Sequence, residues 1–298
     1  MIKYIEIFIK VGKFMKKLLC IILSAVLVAL TLCACTDNKD EIDVESLAAF
    51  RLGVPTGKEP AKEIFDSLET RINKKGYRLE YVEFASAEEA HAALAAGEIN
   101  ASLATLKSEF TEYNEANPET LLNLGAVCRY PYGLFLCNFE KPEDITDEAT
   151  IAIPESAEGV ARALLLLEAN GFIKVKEDAG LSATLDDITE NSRNFKFVTQ
   201  DDEALAANLN NYKADIAVMS SKLSVATGVS LNKSAFAIEE IDCEAALAYS
   251  YVLLIKRDQI ASDWYKAIEP LFFSPLMFDK VDEYPSDIVV PSFERSGV

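Results

Sequence analysis

The chain has 298 residues, of which 50% are hydrophobic and 26% are charged, and its formal net charge is -19. This composition can fill a sizeable apolar core, and the length predicts two compact lobes. The first 34 residues carry five lysines and one glutamate, a charge of +4, so the rest of the chain has a charge of -23. The electrostatic field of such a negatively charged protein repels phosphate backbones, which argues against nucleic acid as a partner.

The N-terminal segment has the pattern of a bacterial secretion signal. Two lysines precede a largely apolar run over 18–32, which is shorter than the roughly 18–20 residues that a spanning helix needs. The run ends in Leu-Cys-Ala-Cys, which matches a lipobox: an aliphatic residue, a tolerant position, a small residue and the cysteine that receives lipid. We therefore predict a signal peptide over 1–34 with Met15 as the better start, a lipidated Cys35, and a polar acidic tether over 35–46.

Cysteine and histidine usage gives no sign of a metal or catalytic centre. Three cysteines follow Cys35, so at least one thiol is unpaired. Cys128 and Cys137 can be read as a disulfide or, in preference, as small buried hydrophobic residues. The chain lacks a Cys-x-x-Cys sequence, and its single histidine, His91, lies among Ala and Glu on a short predicted helix. We predict no metal, no cofactor and a surface or half-buried position for His91.

The first half of the mature chain alternates between strand and helix patterns. Strands are predicted over 48–54, 77–84, 99–103 and 121–128, and helices over 59–75, 86–96 and 107–117. Such alternation favours a parallel sheet with flanking helices. Arg129-Tyr130-Pro131-Tyr132-Gly133 then interrupts the pattern, and its proline and glycine indicate a crossing between lobes.

A second alternating set begins with a strand over 149–154. Ser156 can cap the following helix, which is predicted over 157–170 and ends at Gly171. Further strands are predicted over 195–199, 214–219 and 251–255, with a helix over 203–210, and the helical segment over 262–272 is expected to return to the first lobe. We therefore predict an α/β fold in which 47–130 and 257–298 form lobe 1, 131–256 form lobe 2, and two crossings form a hinge.

The helix after Ser156 carries the first candidate binding residue. Its N-terminal N–H groups point to the carboxyl edge of the sheet, where they favour an anion. Arg162 lies in its second turn, and a guanidinium there can fork onto a carboxylate. The alternative is an ordinary solvated arginine on a helix surface.

Several segments together resemble the methionine-binding lipoprotein family, the substrate-binding proteins of methionine-type ABC importers. They are GYRLEYVEF, ATIAIP, ARALLLLEANGFIKVK, GLSATLDDITEN, ADIAVMSSKLSVATG and YVLLIKRDQ, at matching spacing over nearly the whole chain after the leader. The resemblance implies a two-lobed periplasmic binding protein of the second structural type. It also implies a small solute in the interlobe cleft, a lipid anchor on the extracytoplasmic face of the membrane, and an ABC permease and ATPase as partners.

The chain departs from this family at the positions that shape the pocket. The aromatic Phe-Phe-Gln-His run is replaced over 103–106, a tyrosine by Ala87, and two asparagines by Gly159 and Lys222, whereas Arg162 is kept. We expect free L-methionine to bind weakly or not at all. The candidate ligand-binding residues are Arg162, Lys222, Gly159, Ala87, Leu106 and Tyr130.

Two cations, the retained Arg162 and the Lys222 that replaces an asparagine, suggest a solute with at least one carboxylate. Arg162 would hold it by a fork and Lys222 by a point charge, although Lys222 could instead pair with Glu155 or Glu158. An orphan or sensory lipoprotein on the same scaffold is an alternative function. An enzyme is a more distant one, because the sequence offers no nucleophile with a base and no spaced pair of carboxylates.

Overall fold

The computed structural model describes residues 42–293 except for 58, 212, 241 and 284–288. The predicted signal peptide, the lipidated Cys35 and most of the predicted tether lie outside the described residues. Within the described part of the chain, none of the helices is long and apolar enough to cross a membrane.

The first sheet has the strand order β13-β4-β12-β3-β1-β2. Its strands are β1 (Ala48–Pro55), β2 (Tyr77–Phe84), β3 (Ala101–Leu106), β4 (Leu121–Arg129), β12 (Tyr251–Lys256) and β13 (Val290–Pro291). β1 pairs in parallel with β2 and β3, whereas β12 is antiparallel to both β3 and β4. The sheet is therefore mixed, and the predicted parallel arrangement holds for its β3-β1-β2 side.

The second sheet has the strand order β11-β5-β10-β6-β9. Its strands are β5 (Tyr132–Leu136), β6 (Thr150–Pro154), β9 (Lys196–Gln200), β10 (Ile216–Ser220) and β11 (Ala235–Ile238). A separate antiparallel pair consists of β7 (Lys174–Val175) and β8 (Ile188–Glu190). In the five-stranded sheet β6 is parallel to β9 and β10, and β5 is antiparallel to β10 and β11.

Helices connect the strands of both sheets. The α-helices of the described residues are α1 (Ala61–Asp66), α2 (Glu69–Lys74), α3 (Ala87–Ala96), α4 (Lys107–Ala116), α5 (Ala157–Ala169), α6 (Asp202–Asn211), α7 (Ser221–Ala226), α8 (Leu231–Ser234), α9 (Glu244–Ala248), α10 (Asp263–Ile268) and α11 (Pro275–Glu283). Short 3-10 helices cover Val44–Ser46, Pro142–Asp144, Gly180–Ser182, Leu185–Asp187, Arg257–Ala261 and Glu269–Leu271.

Each sheet packs around its own hydrophobic core. In the first core the rings of Phe50 and Trp264 lie 5.6 Å apart between centroids, which packs α10 against β1. The predicted return of the chain to the first lobe after Arg257 agrees with this packing. The second core includes Ile151 of β6, Leu164 of α5 and Val218 of β10. The two cores make this a two-lobed α/β fold.

One strand belongs to a different lobe from the one predicted. The sequence assigned 251–255 to the second lobe, but β12 lies between β3 and β4 of the first sheet. Val252, Leu253, Leu254 and Ile255 are fully buried there. An uninterrupted apolar strand has the same pattern in either sheet, so periodicity could not assign it. The second crossing therefore lies between β11 and β12, before the predicted boundary at 256.

Two local expectations also differ. The single helix predicted over 59–75 is two helices, α1 and α2, separated at Ser67 and Leu68. Ser67 donates a side-chain hydrogen bond to the Ile64 carbonyl at 2.6 Å, and the Leu68 N–H reaches back only three residues, to the Phe65 carbonyl. This tighter turn ends α1.

His91 is buried rather than at the surface, with 2% of its area exposed. Its ring lies 4.4 Å from the ring of Tyr113, and burial lowers the pKa of the imidazole. Helix α3 thus presents His91 to the lobe interior, and the residue packs as a neutral aromatic side chain.

Cys128 and Cys137 are free thiols, and both are buried. Burial raises the pKa of each thiol to about 12, so that almost no thiolate is present at neutral pH. Of the two readings that the sequence left open, the structure supports small buried hydrophobic residues.

We predict that neither buried cysteine reacts with iodoacetamide in the folded protein at pH 8, because alkylation requires an accessible thiolate. Both should be alkylated after unfolding in denaturant. Reduction before labelling should leave the mass of the labelled protein unchanged. Half-buried Cys243 provides the internal comparison and should react first. Peptide mass spectrometry after timed labelling measures the three rates, and a peptide linking Cys128 to Cys137 would contradict the prediction.

Candidate functional site

The candidate site is built where β6 passes into helix α5. Pro154 ends the strand, and the Ser156 side chain caps the helix by accepting a hydrogen bond from the Gly159 N–H at 3.1 Å. Gly171 follows the helix with a φ of +76°, the left-handed conformation that glycine adopts freely. The predicted strand, cap, helix and stop are all confirmed.

Gly159 is required by the close approach of the helix to the end of the strand. A Cβ at this position would lie 2.4 Å from the Pro154 Cβ and 2.8 Å from the Ser156 Oγ. Both contacts are shorter than non-bonded atoms tolerate. The asparagine expected here from the resemblance therefore has no space, and the helix N-terminus packs directly on the strand end instead.

Arg162 is buried, with 3% of its side chain exposed, and it forms a forked ion pair with Glu239. Its Nε donates to Glu239 Oε1 at 3.1 Å, and its Nη2 donates to Glu239 Oε2 at 2.6 Å. The Glu239 side chain is 4% exposed. The solvated-helix alternative for Arg162 is wrong, because the guanidinium lies in the interior with a carboxylate of the same protein.

The remaining contacts of Arg162 join both crossings between the lobes. Nη2 also donates to the Tyr130 carbonyl at 3.0 Å, on the crossing between β4 and β5. The guanidinium carbon lies 4.0 Å from the ring centroid of Tyr132 and 5.2 Å from that of Tyr249, which precedes β12. Glu239 directly follows β11, so Arg162 contacts residues of both crossing segments.

Glu158 is the second carboxylate at Arg162. Its Oε1 accepts from Arg162 Nη1 at 3.3 Å, as expected for residues four apart on a helix. Burial raises the pKa of the Glu158 carboxyl, and Arg162 acts in the opposite direction. Glu158 also lines a cavity of about 540 Å³, together with Leu181, Ser182, Asp186 and Tyr249.

Sequence reasoning missed Glu239. The residue is 77 positions away from Arg162 and follows a short strand that the pattern did not predict. A pair of glutamates at the end of an apolar run, Glu239 and Glu240, was the one signal available. Glu158, in contrast, could be paired with Arg162 from its spacing alone.

Lys222 is exposed near the first crossing, with its Nζ 5.6 Å from the ring centroid of Tyr130. Within the described part of the chain it forms no ion pair with Glu155 or Glu158, the partners considered as alternatives. Arg162 and Lys222 both lie next to Tyr130, but the charge of Arg162 is already balanced by Glu239. Of the two predicted cations, only Lys222 therefore lacks a carboxylate partner among the described residues.

Ala87 and Leu106 lie at the strand ends of the first lobe. Ala87 begins helix α3 directly after β2, and Leu106 ends β3, where its N–H donates to Glu109 Oε2 at 2.7 Å. Both are half-buried. Contact between a solute and any of the six candidate residues stays a prediction.

A model of the NlpA lipoprotein family matches residues 52–293. The chain belongs to this family. Outer membrane lipoprotein 2 of Mannheimia haemolytica is 30% identical over 73% of this chain and 80% of that protein. The methionine-binding lipoprotein MetQ of Bacillus subtilis is 24% identical over 81% of this chain and 88% of its own length.

The NlpA-family fold is also found in solved structures. A nutrient binding protein from Burkholderia cenocepacia, bound to methionine, superposes with a TM-score of 0.65 and 23% identity. The match covers 82% of this chain and 100% of that one. It shows that the two proteins share the same two-lobed α/β fold, as the resemblance implied.

We predict that Gly159→Asn destabilises this NlpA-family chain by about 1–3 kcal/mol, the usual range for overpacking a close contact. Ala157→Asn introduces the same side chain two positions earlier on the same helix turn, where the side chain is exposed, and should change stability much less. Urea unfolding followed by circular dichroism measures both. Equal losses in the two variants would contradict the steric explanation.

Proposed function

We propose that this NlpA-family chain is a lipid-anchored substrate-binding protein of an ABC importer, which encloses a small amino-acid-like solute between its lobes. The observation that carries the proposal is the arrangement of two separate cores joined by two crossings, with a cavity close to one crossing. Closure of two lobes about such crossings is a common way to bury a ligand.

The size of the cavity supports a small solute. Its volume of about 540 Å³ lies within the range of roughly 300–1,000 Å³ that is usual for small-molecule sites. A neighbouring cavity of about 490 Å³ extends between helices α4 and α9, and Leu181 lines both. Helix α4 connects strands of the first sheet, so this second cavity brings residues of the first lobe and of the second crossing close to the site.

Membership of a family of lipoproteins supports membrane attachment through Cys35. Lipid chains contribute about 0.8 kcal/mol per buried methylene, so two or more chains hold a protein stably at a membrane. Attachment on the extracytoplasmic face would keep the lobes next to a permease and its ATPase, which are the partners that the proposal requires. The same family membership supports a binding role rather than catalysis.

The proposal is tested by native mass spectrometry of the full mature protein purified from cells. We expect a bound solute of low molecular mass that is lost on unfolding. The same solute should stimulate ATP hydrolysis by the permease–ATPase pair encoded next to this protein, reconstituted in vesicles, only when the protein is present. An orphan or sensory lipoprotein would bind a solute without that stimulation. Protein that acquires no solute from any cell extract would contradict the proposal.

We predict that Cys35→Ala moves the protein from the membrane to the soluble fraction, because the lipid-bearing sulfur is lost. Cys33→Ala is the matched control, since position 33 is the tolerant position of the lipobox and lipidation should continue. Fractionation with immunodetection measures the distribution. Membrane retention of the Cys35→Ala protein would refute lipid attachment at this residue.

We predict that free L-methionine binds weakly or not at all to the wild-type protein, with no saturable heat below millimolar concentration in calorimetry. The reason is the loss of pocket-shaping residues at Ala87, Leu106 and Gly159 and the occupation of Arg162 by Glu239. A dissociation constant below 1 μM, equivalent to about -8.2 kcal/mol, would overturn this expectation.

A further inference from the structure

The guanidinium of Arg162 has little capacity left for a solute. An arginine side chain has five N–H donors. Four of them are used: Nε and Nη2 donate to Glu239, Nη2 also donates to the Tyr130 carbonyl, and Nη1 donates to Glu158. The one Nη1 hydrogen that remains cannot make the two parallel bonds by which arginine holds a carboxylate.

Displacement of Glu239 by a solute is unfavourable. The Glu239 side chain is 4% exposed, and its two oxygens receive the two bonds from Arg162. A solute carboxylate that took this place would leave Glu239 buried without its cation, which is strongly destabilising. Glu239 thus already supplies the carboxylate that the paired N–H groups of Arg162 would otherwise bind.

The cavity beside this pair favours positive charge. Among the described residues, its lining includes the carboxylates of Glu158 and Asp186, the hydroxyls of Ser182 and Thr184, and the ring of Tyr249, and it contains no lysine or arginine. Arg162 with Glu158 and Glu239 carries a combined charge of -1. The other cations of this region, Arg129, Lys107 and Lys222, do not line this cavity.

We propose that Glu239 is a specificity-determining residue of the cleft: it occupies Arg162 as a solute carboxylate would, so the protein takes a small amine whose charge is met by Glu158. This inference rests on the proposed binding function and names its solute class. It replaces the sequence-based expectation of an anionic solute. That expectation required the two N–H groups of Arg162 that are now bound to Glu239.

The test is chemical rescue with acetate as the probe. Glu239→Ala removes the internal carboxylate and leaves a space beside Arg162, so acetate should bind there and raise Tm saturably, by about 2–4 °C more than equimolar chloride. Wild-type protein should respond equally to acetate and chloride. Glu240→Ala, which removes the exposed neighbouring carboxylate, should behave like wild type.

Two results of this titration would overturn the proposal. In the first, wild-type protein gains as much from acetate as Glu239→Ala does, and the gain is lost in Arg162→Gln, which would mean that Arg162 is open to solutes. In the second, Glu239→Ala folds and shows no acetate response, which would mean that Glu239 does not fill a carboxylate site. If Glu239→Ala fails to fold, the wild-type protein and Arg162→Gln still show whether Arg162 is open to acetate.

The charge of the natural solute separates this inference from the proposed function. Native mass spectrometry of wild-type protein should find a solute with a protonated amine, and a solute that binds through its carboxylate and is lost in Arg162→Gln would overturn the inference. Absence of any solute would instead contradict the binding function itself, while the acetate titration still decides the role of Glu239.

Discussion

The organisation of the interlobe region depends on one buried ion pair, between Arg162 and Glu239. Removing both charges from water is unfavourable, and the arrangement is tolerated because all three guanidinium nitrogens donate to protein acceptors. The pair also has a positional effect. It fixes helix α5 of the second lobe to the segments on both sides of the hinge, through the Tyr130 carbonyl on one crossing and Glu239 on the other.

The residues that depart from the family pattern form a consistent local structure. Gly159 allows the start of α5 to pack on Pro154, which fills the space that a larger side chain would occupy. Arg162, although retained, is neutralised within the protein rather than left for a solute. A chain can therefore keep this two-lobed fold while the charge pairing around its retained arginine changes.

Local sequence patterns predicted the elements whose signals are local. β1, β2, α3 and α5 were predicted within a residue or so, because their apolar periodicity, the Ser156 cap and the glycine stops all act over a few positions. β12 was assigned to the wrong lobe for the opposite reason. Its pairing with β3 and β4 is decided by partners more than 120 residues away along the chain, and a uniformly apolar strand carries no mark of its sheet.

The sequence by itself determined the α/β class, the two lobes, the family and the position of Arg162 at the start of a helix. Only the tertiary structure decided what Arg162 does, because its partner Glu239 is 77 positions away and is brought to it by the pairing of β11 with β5 in the second sheet. Charge pairing across such a distance leaves no periodic signal. An arginine that the sequence presented as a site for a solute carboxylate is, in the folded protein, bound to a carboxylate of its own chain.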